Sequence, residues 1–257
     1  MDFDKIIKHR LAEAANPVSR GRNLIEGYRR GAGLEFGGLI DEISGHEVFR
    51  QAFELVRGRT SVKKMKLANL FLLIRDCLPK LEPGHIIEFG AFRCGTAAFM
   101  AGVSKHLGRP VQIYALDTFT GMPGADVNLD LHREGDFVGA DLEEIRDFLN
   151  EAGLDNIHLV RGRFEETAAE ALKAAEKVAL VHVDCDIESA VGFAYDAVKP
   201  YMVSGGYIVF DDPLFSTCLG ALQAVEDRVV RRDGLSAEQA YPHLVYRYPP
   251  LIGKTIP

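Results

Sequence analysis

The chain has 257 residues, 47% of them hydrophobic and 26% charged, which is enough to bury one full core. A formal net charge of -7 excludes a broad nucleic-acid surface, because phosphate binding relies on concentrated Lys and Arg. No apolar run reaches the roughly 18 to 20 residues of a membrane span, and the opening MDFDKIIKHR lacks the apolar stretch of a secretory signal, so a cytoplasmic protein with a small-molecule partner is expected.

Residues 1–84 read as a mostly helical accessory region, broken by glycines in GYRRGAGLEFGG and basic in RGRTSVKKMK. Within it, SVKKMKLANLFLLIRDCL has the apolar spacing of a helix. This region is expected to serve as a lid over a site or as the contact surface of a homo-oligomer. Residues 85–257 form the second unit, in which HIIEF, VQIYAL, NIHLVRG, VALVHVD and GGYIVFDD read as strands. Helices fall between them near 95–107, 141–152, 165–177, 188–199 and 217–230. Crossovers of that length imply an α/β fold with a mostly parallel sheet covered by helices on both faces. HLVYRYP and LIGKTIP, after a linker helix near 236–241, are expected to add a C-terminal antiparallel hairpin. Cys77, Cys94, Cys185 and Cys218 lack CxxC spacing, which argues for four buried thiols in a reducing compartment and against a disulfide frame or a zinc site.

The first strand runs into IIEFGAFRCG, where Glu88 precedes a turn containing Gly90, Ala91, Phe92, Gly95 and Thr96. Ligands of parallel α/β sheets sit beyond the carboxyl ends of the strands, where glycine admits close approach and the next helix offers free N–H groups. A dinucleotide fingerprint needs glycine where Glu88 stands, and a carboxylate there would repel a pyrophosphate. Acid first and glycines after is the pattern of S-adenosylmethionine sites. Asp117, followed by Thr118, ends the second strand where an acid can accept both ribose hydroxyls. Gly162, Arg163 and Phe164 after the third strand are candidates for the adenine edge.

The fourth strand ends in Asp184 and Asp186 and the fifth in Asp211 and Asp212. Carboxylates gathered at neighbouring strand tips repel one another unless protonated or neutralised by a cation, and an all-oxygen set suits Mg²⁺. Asp184, Asp211 and Asp212 are the candidate ligands, and Asp184 is also expected to border the cofactor. Asp186 can alternatively cap the helix beginning near Glu188, and Asp212 the turn at Pro213. Asp184, with Asp186 nearby, is the candidate base. His182 reads as a core or lining residue. His132 lies in the polar loop DLHREGDF after Asp117 and is a second candidate base or a substrate contact.

Taken together, IIEFGAFRCG, LDTFTGMP, H-x-x-GDF, VRGRFEET, VHVDCDIES and SGGYIVFDD resemble the macrocin O-methyltransferase family over roughly residues 59 to 230. The resemblance implies a class I S-adenosylmethionine-dependent methyltransferase fold, a bound Mg²⁺, and methylation of a sugar hydroxyl, on a deoxysugar that is nucleotide-linked or part of a glycoside, in antibiotic biosynthesis. By position it puts the cofactor on Glu88, Gly90 and Asp117, and the metal on Asp184, Asp211 and Asp212. The chain departs from the family pattern at Glu188, where a Tyr often follows the second acid, and at Ile187, where some members have His; the general base is left open. Two rivals remain at this stage: a nicotinamide-dependent oxidoreductase on a similar sheet, and a cofactor-binding module without turnover.

Overall fold

The structure, a computed structural model, describes residues 39–109 and 111–250. Much of the expected N-terminal layer and the LIGKTIP strand lie outside the described residues. Three helices come first: α1 (Leu39–Gly45), α2 (Glu47–Leu55) and α3 (Lys64–Leu72), the last prolonged by a wider π turn over Leu73–Cys77. Strand β1 (His85–Phe89), helix α4 (Gly95–His106) and strand β2 (Ile113–Asp117) follow. Next are α5 (Leu142–Glu151), β3 (Ile157–Arg161), α6 (Phe164–Ala175), β4 (Val178–Val183) and α7 (Glu188–Val198). Strand β5 (Met202–Phe210), α8 (Leu219–Ala224) with a π continuation over Val225–Arg232, and β6 (Leu244–Tyr248) complete the described chain.

The strands form one sheet in the order β3-β2-β1-β4-β5-β6, parallel except for β6, which runs antiparallel to β5. Strand order therefore reverses between β1 and β4, the place where such sheets open a crevice. The linker helix expected near 236–241 does not form. Instead the Glu238 and Gln239 N–H groups both reach the Val245 carbonyl, and Gln239 bridges to Val245, so the segment satisfies its backbone against β6 rather than internally.

Strand alternation sorts the core into two halves. Ile86, Leu180 and Val209 face the side covered by α1–α5, where Phe49 packs edge-on against both Phe71 and Phe99 at 5.6 Å. Ile87, Phe89, Val181, Val183 and Phe210 face α6, α7 and α8. Each buried large apolar side chain stabilises by about 1.5–3 kcal/mol. The same alternation decides where the polar residues of these strands go: Glu88, His182 and Asp211 follow Ile86, Leu180 and Val209 by two, and so join the α1–α5 side. Among the described residues no helix is long and apolar enough to cross a membrane. Of the cysteines, Cys94, Cys185 and Cys218 are buried and Cys77 is only half-buried, because it lies at the end of the π turn.

At the foot of α7, Asp196 meets Arg228 at 2.8 Å, Arg232 at 2.5 Å and Lys199 at 3.2 Å, which ties α7 to the π continuation of α8. Burial pushes the Asp196 carboxyl up, but hydrogen bonds from Arg232, Arg228 and Lys199 overcome it and hold the value at about 2. Because that lies below the ordinary 3.8, the unfolded chain binds the proton more tightly. The contribution to stability is full above about pH 4 and disappears as pH falls toward 2. Thermal melts from pH 7 down to 2 should show a steeper acid decline for the parent protein than for Asp196→Asn; parallel declines would refute this role.

Candidate functional site

Beyond the carboxyl ends of β1, β2, β4 and β5 lies a cavity of about 350 Å³, within the range of small-molecule sites. Its back is the β1/β4 switch point. Gly90, with φ +92°, leaves β1 so close to β4 that a Cβ on it would stand 1.7 Å from the Asp184 carbonyl oxygen. Glycine is required there on both counts. Asp117 is locked at the end of β2: Oδ2 accepts from the Phe92 N–H at 2.8 Å and Oδ1 from the Phe119 N–H at 2.7 Å.

Of the residues expected to hold a cofactor, Gly90, Phe92, Asp117, Thr118, Arg163, Phe164 and Asp184 line the cavity. Phe164 is fixed edge-on against Phe89 at 5.2 Å. Others stand behind the wall. Glu88 is completely buried and accepts from His182 Nδ1 at 3.0 Å. Ala91 is buried, Gly95 abuts the Arg59 backbone, and the Thr96 hydroxyl lies 2.9 Å from that of Thr60. Gly162 donates its N–H to the Asp117 carbonyl, joining the third-strand turn to the second.

Asp184, Asp211 and Asp212 come together as expected, with one carboxylate oxygen from each within 4.8 Å of the others. All three are hard oxygen donors, and the span is one that a single divalent ion can draw in, so the set fits Mg²⁺. Their surroundings differ. Burial, then the charges of Asp211 and Asp212, raises the Asp184 carboxyl well above its ordinary range. Burial, then Asp186 and Asp211, does the same to Asp212. Asp211 is as buried as Asp212 but goes the other way, well below the ordinary range, because His182, His243 and Lys66 surround it.

That surround is the part of the site that strand periodicity did not signal. Lys66, only 4% exposed, extends from α3 to Asp211 Oδ2 at 2.5 Å and to the Asp211 carbonyl at 2.6 Å, beneath the Phe215 ring. His243 donates from Nε2 to Asp211 Oδ1 at 2.9 Å and accepts at Nδ1 from Asn69, one helical turn beyond Lys66. Burial lowers the His243 value to about 4, so the ring is a neutral donor. His182 lies between Glu88 and Asp211, 3.6 Å from the latter. Burial lowers its value, but the Asp211 and Glu88 carboxylates outweigh that and bring it to about 9, so it stays protonated at neutral pH. A Lys within SVKKMKLANLFLL looks like a solvated helical position; only its closeness to Asp211 reveals it.

Neither capping alternative holds. The α7 N-terminus is capped from the loop, where buried Asp130 accepts from the Glu188 N–H at 3.1 Å. Asp212 Oδ2 accepts from the Asp186 N–H at 2.8 Å, which holds Asp186 in a left-handed conformation with φ +60°. Asp186 thus turns its carboxylate to the cavity, and burial raises its value. His132 meets it there, Nε2 standing 3.5 Å from Asp186 Oδ1 while Nδ1 lies 3.1 Å from Asp136. Asp130 also packs tightly over Gly220, where a Cβ would meet its carboxylate at 1.9 Å, so the loop carrying His132 is anchored to α7 and α8 together.

The profile of Macrocin-O-methyltransferase (TylF) matches residues 55–233. Among known proteins, the 8-demethyl-8-(2,3-dimethoxy-alpha-L-rhamnosyl)-tetracenomycin-C 4'-O-methyltransferase of Streptomyces olivaceus is 27% identical over 187 residues, 69% of this chain and 71% of that one. The mycinamicin III 3''-O-methyltransferase of Micromonospora griseorubida is 25% identical over 205 residues, 74% and 80% of the two chains. Two solved structures share the fold. The O-methyltransferase NovP superposes with a TM-score of 0.62 at 21% identity, covering 86% of this chain and 98% of that one. The calicheamicin methyltransferase CalS11 gives 0.63 at 17%, covering 91% and 100%.

Removing Lys66 leaves Asp211 buried beside acids without its cation, and breaking such a pair costs about 3–5 kcal/mol. Urea unfolding of Lys66→Met should show a loss of that size, and Asp211→Asn in the same chain should recover part of it. A Lys66→Met protein within about 1 kcal/mol of the parent would mean that the pair does not organise the site.

Proposed function

The chain belongs to the macrocin O-methyltransferase family, and on that premise we propose that it methylates a deoxysugar hydroxyl of a glycoside, using S-adenosylmethionine and Mg²⁺ in antibiotic biosynthesis. The observation that carries the reading is the meeting of Asp184, Asp211 and Asp212 at the floor of a cavity whose wall includes Gly90 and Asp117. With the cofactor bound, Gly90 would admit it to the switch point, Asp117 would accept its ribose hydroxyls, and Arg163 and Phe164 would border its base. S-Adenosylmethionine supplies a methyl group on a positively charged sulfur, which an acid-rich cavity welcomes. A divalent ion held by the three aspartates supplies Lewis acidity, which in other sites lowers the pKa of water from 15.7 to about 7.

The chain's own residues handle the proton. Asp186 and His132 together accept it from the sugar hydroxyl, with Asp136 fixing the His132 ring through Nδ1 and the Asp212 carboxylate fixing the Asp186 backbone. Asp184 serves in the metal set instead. Position is the larger effect: alignment of the reacting atoms can account for about 7–11 kcal/mol, and a placed base for about 10²–10⁴-fold.

A finished glycoside is favoured over a nucleotide-linked sugar by the apolar surface beside the cavity. The loop that brings Met122, His132 and Phe137 to the cavity also exposes Val127 (65%), Leu131 (59%) and Val138 (65%), a surface suited to an apolar aglycone.

With labelled S-adenosylmethionine and a panel of acceptors, glycosides should be methylated and nucleotide-linked sugars should not; the reverse preference would overturn the aglycone reading. Transfer should stop in EDTA and return with Mg²⁺. Asp186→Asn should lower kcat by about 10²–10⁴-fold with little change in KM. Full turnover in EDTA would remove the metal from the reaction.

A further inference from the structure

His132, Asp186 and Cys218 come from three separate segments: the loop after β2, the turn after β4 and the residue preceding α8. We infer that they form a second cation site, for a thiophilic divalent ion of the zinc class, distinct from the three-aspartate set. The donor atoms lie at the corners of a small triangle. His132 Nε2 is 3.5 Å from Asp186 Oδ1 and 3.7 Å from Cys218 Sγ, and Cys218 Sγ is 3.5 Å from Asp186 Oδ1. Tetrahedral zinc, with bonds of about 2.0–2.1 Å to nitrogen and oxygen and about 2.3 Å to sulfur, sets such donors about 3.3–3.6 Å apart. The triangle is therefore nearly the right size before any ion arrives. A mixed N, O, S set suits zinc rather than Mg²⁺, which takes oxygen.

The supporting contacts are also those of a metal centre. His132 Nδ1 lies 3.1 Å from Asp136 Oδ2, and the Arg133 N–H holds the same oxygen at 3.0 Å. A carboxylate on the far nitrogen of a ligating His fixes the ring and strengthens it as a donor. Asp186 is held by its left-handed backbone and by Asp212, and Cys218 is buried. All three residues border the cavity, which leaves the fourth coordination position open toward it. Without an ion, burial keeps the Cys218 sulfur in its thiol form, 3.5 Å from the Asp186 carboxylate. Uptake replaces that thiol proton, which leaves to solvent. The lack of CxxC spacing does not count against the site, because its ligands converge from across the fold. One consequence rests on the function proposed above: the ion occupies Asp186 and His132, so zinc opposes methyl transfer.

Cobalt titration of the full chain, with excess Mg²⁺ to fill the aspartate set, tests the site without reference to activity. One Co²⁺ should bind with a sulfur-to-cobalt charge-transfer band and the intense visible bands of tetrahedral cobalt, and Zn²⁺ should displace it. The band should vanish in Cys218→Ser and persist in Cys185→Ser. Asp136→Asn, which removes the carboxylate that supports His132 while leaving all three ligands in place, should weaken Co²⁺ binding by about 10–100-fold. If Cys218→Ser fails to fold, as judged by circular dichroism, the Cys185 and Asp136 variants decide. A band that survives in folded Cys218→Ser, a band lost in Cys185→Ser, unchanged Co²⁺ affinity in Asp136→Asn, or binding without a sulfur band would each overturn the assignment.

Discussion

Asp211 is the buried charge on which the site depends. An ionised carboxylate cannot be taken from water without compensation, and here Lys66, His243 and protonated His182 provide it from three different elements. One acid of the cluster is thus neutralised internally, while burial and the neighbouring carboxylates raise Asp184 and Asp212. Glu88 belongs to the same arrangement from below: it takes one side of the His182 ring, and Asp211 stands at the other. The network runs on through His243 to Asn69 and Gln239, so α3, β4, β5 and the approach to β6 are joined by polar contacts beneath the cavity.

A second constraint fixes the front of the site. The loop from Thr118 to Ala140 is long and polar, yet buried Asp130 caps α7 and seats against Gly220, and Met122 exchanges backbone hydrogen bonds with Gly135 and Asp136. These contacts hold His132 against Asp186, where the two can share a proton or, with Cys218, an ion. Proton acceptance and zinc capture therefore draw on the same atoms. On the proposed reading, the chemistry done there depends on which cation is present.

Much of the frame was legible in the chain. The runs HIIEF and VALVHVD became β1 and β4, and three helices lie within a residue or two of their expected positions, at 95–106, 142–151 and 188–198. The aspartates of VHVDCD and VFDD met because parallel neighbours end at the same edge. Other features were hidden for identifiable reasons. Lys66 sits in a stretch whose apolar spacing announces a helix, and nothing local distinguishes its buried ammonium from solvated lysines beside it. Asp186 offered itself as a cap, but Asp130, 58 positions before Glu188, does the capping. The residues near 236–241 had a helical look, and pairing with β6 overrode it.

By itself, the sequence determined which stretches become strands and helices, that glycine is needed after β1, and that acids crowd the strand tips, because these follow from periodicity and from side-chain chemistry within short windows. Only the tertiary structure decided which charges neutralise one another. Residues 66, 182, 211 and 243 meet through strand register and the packing of α3 on the sheet, and a buried ion pair is specified by closure of the whole core rather than by any local pattern.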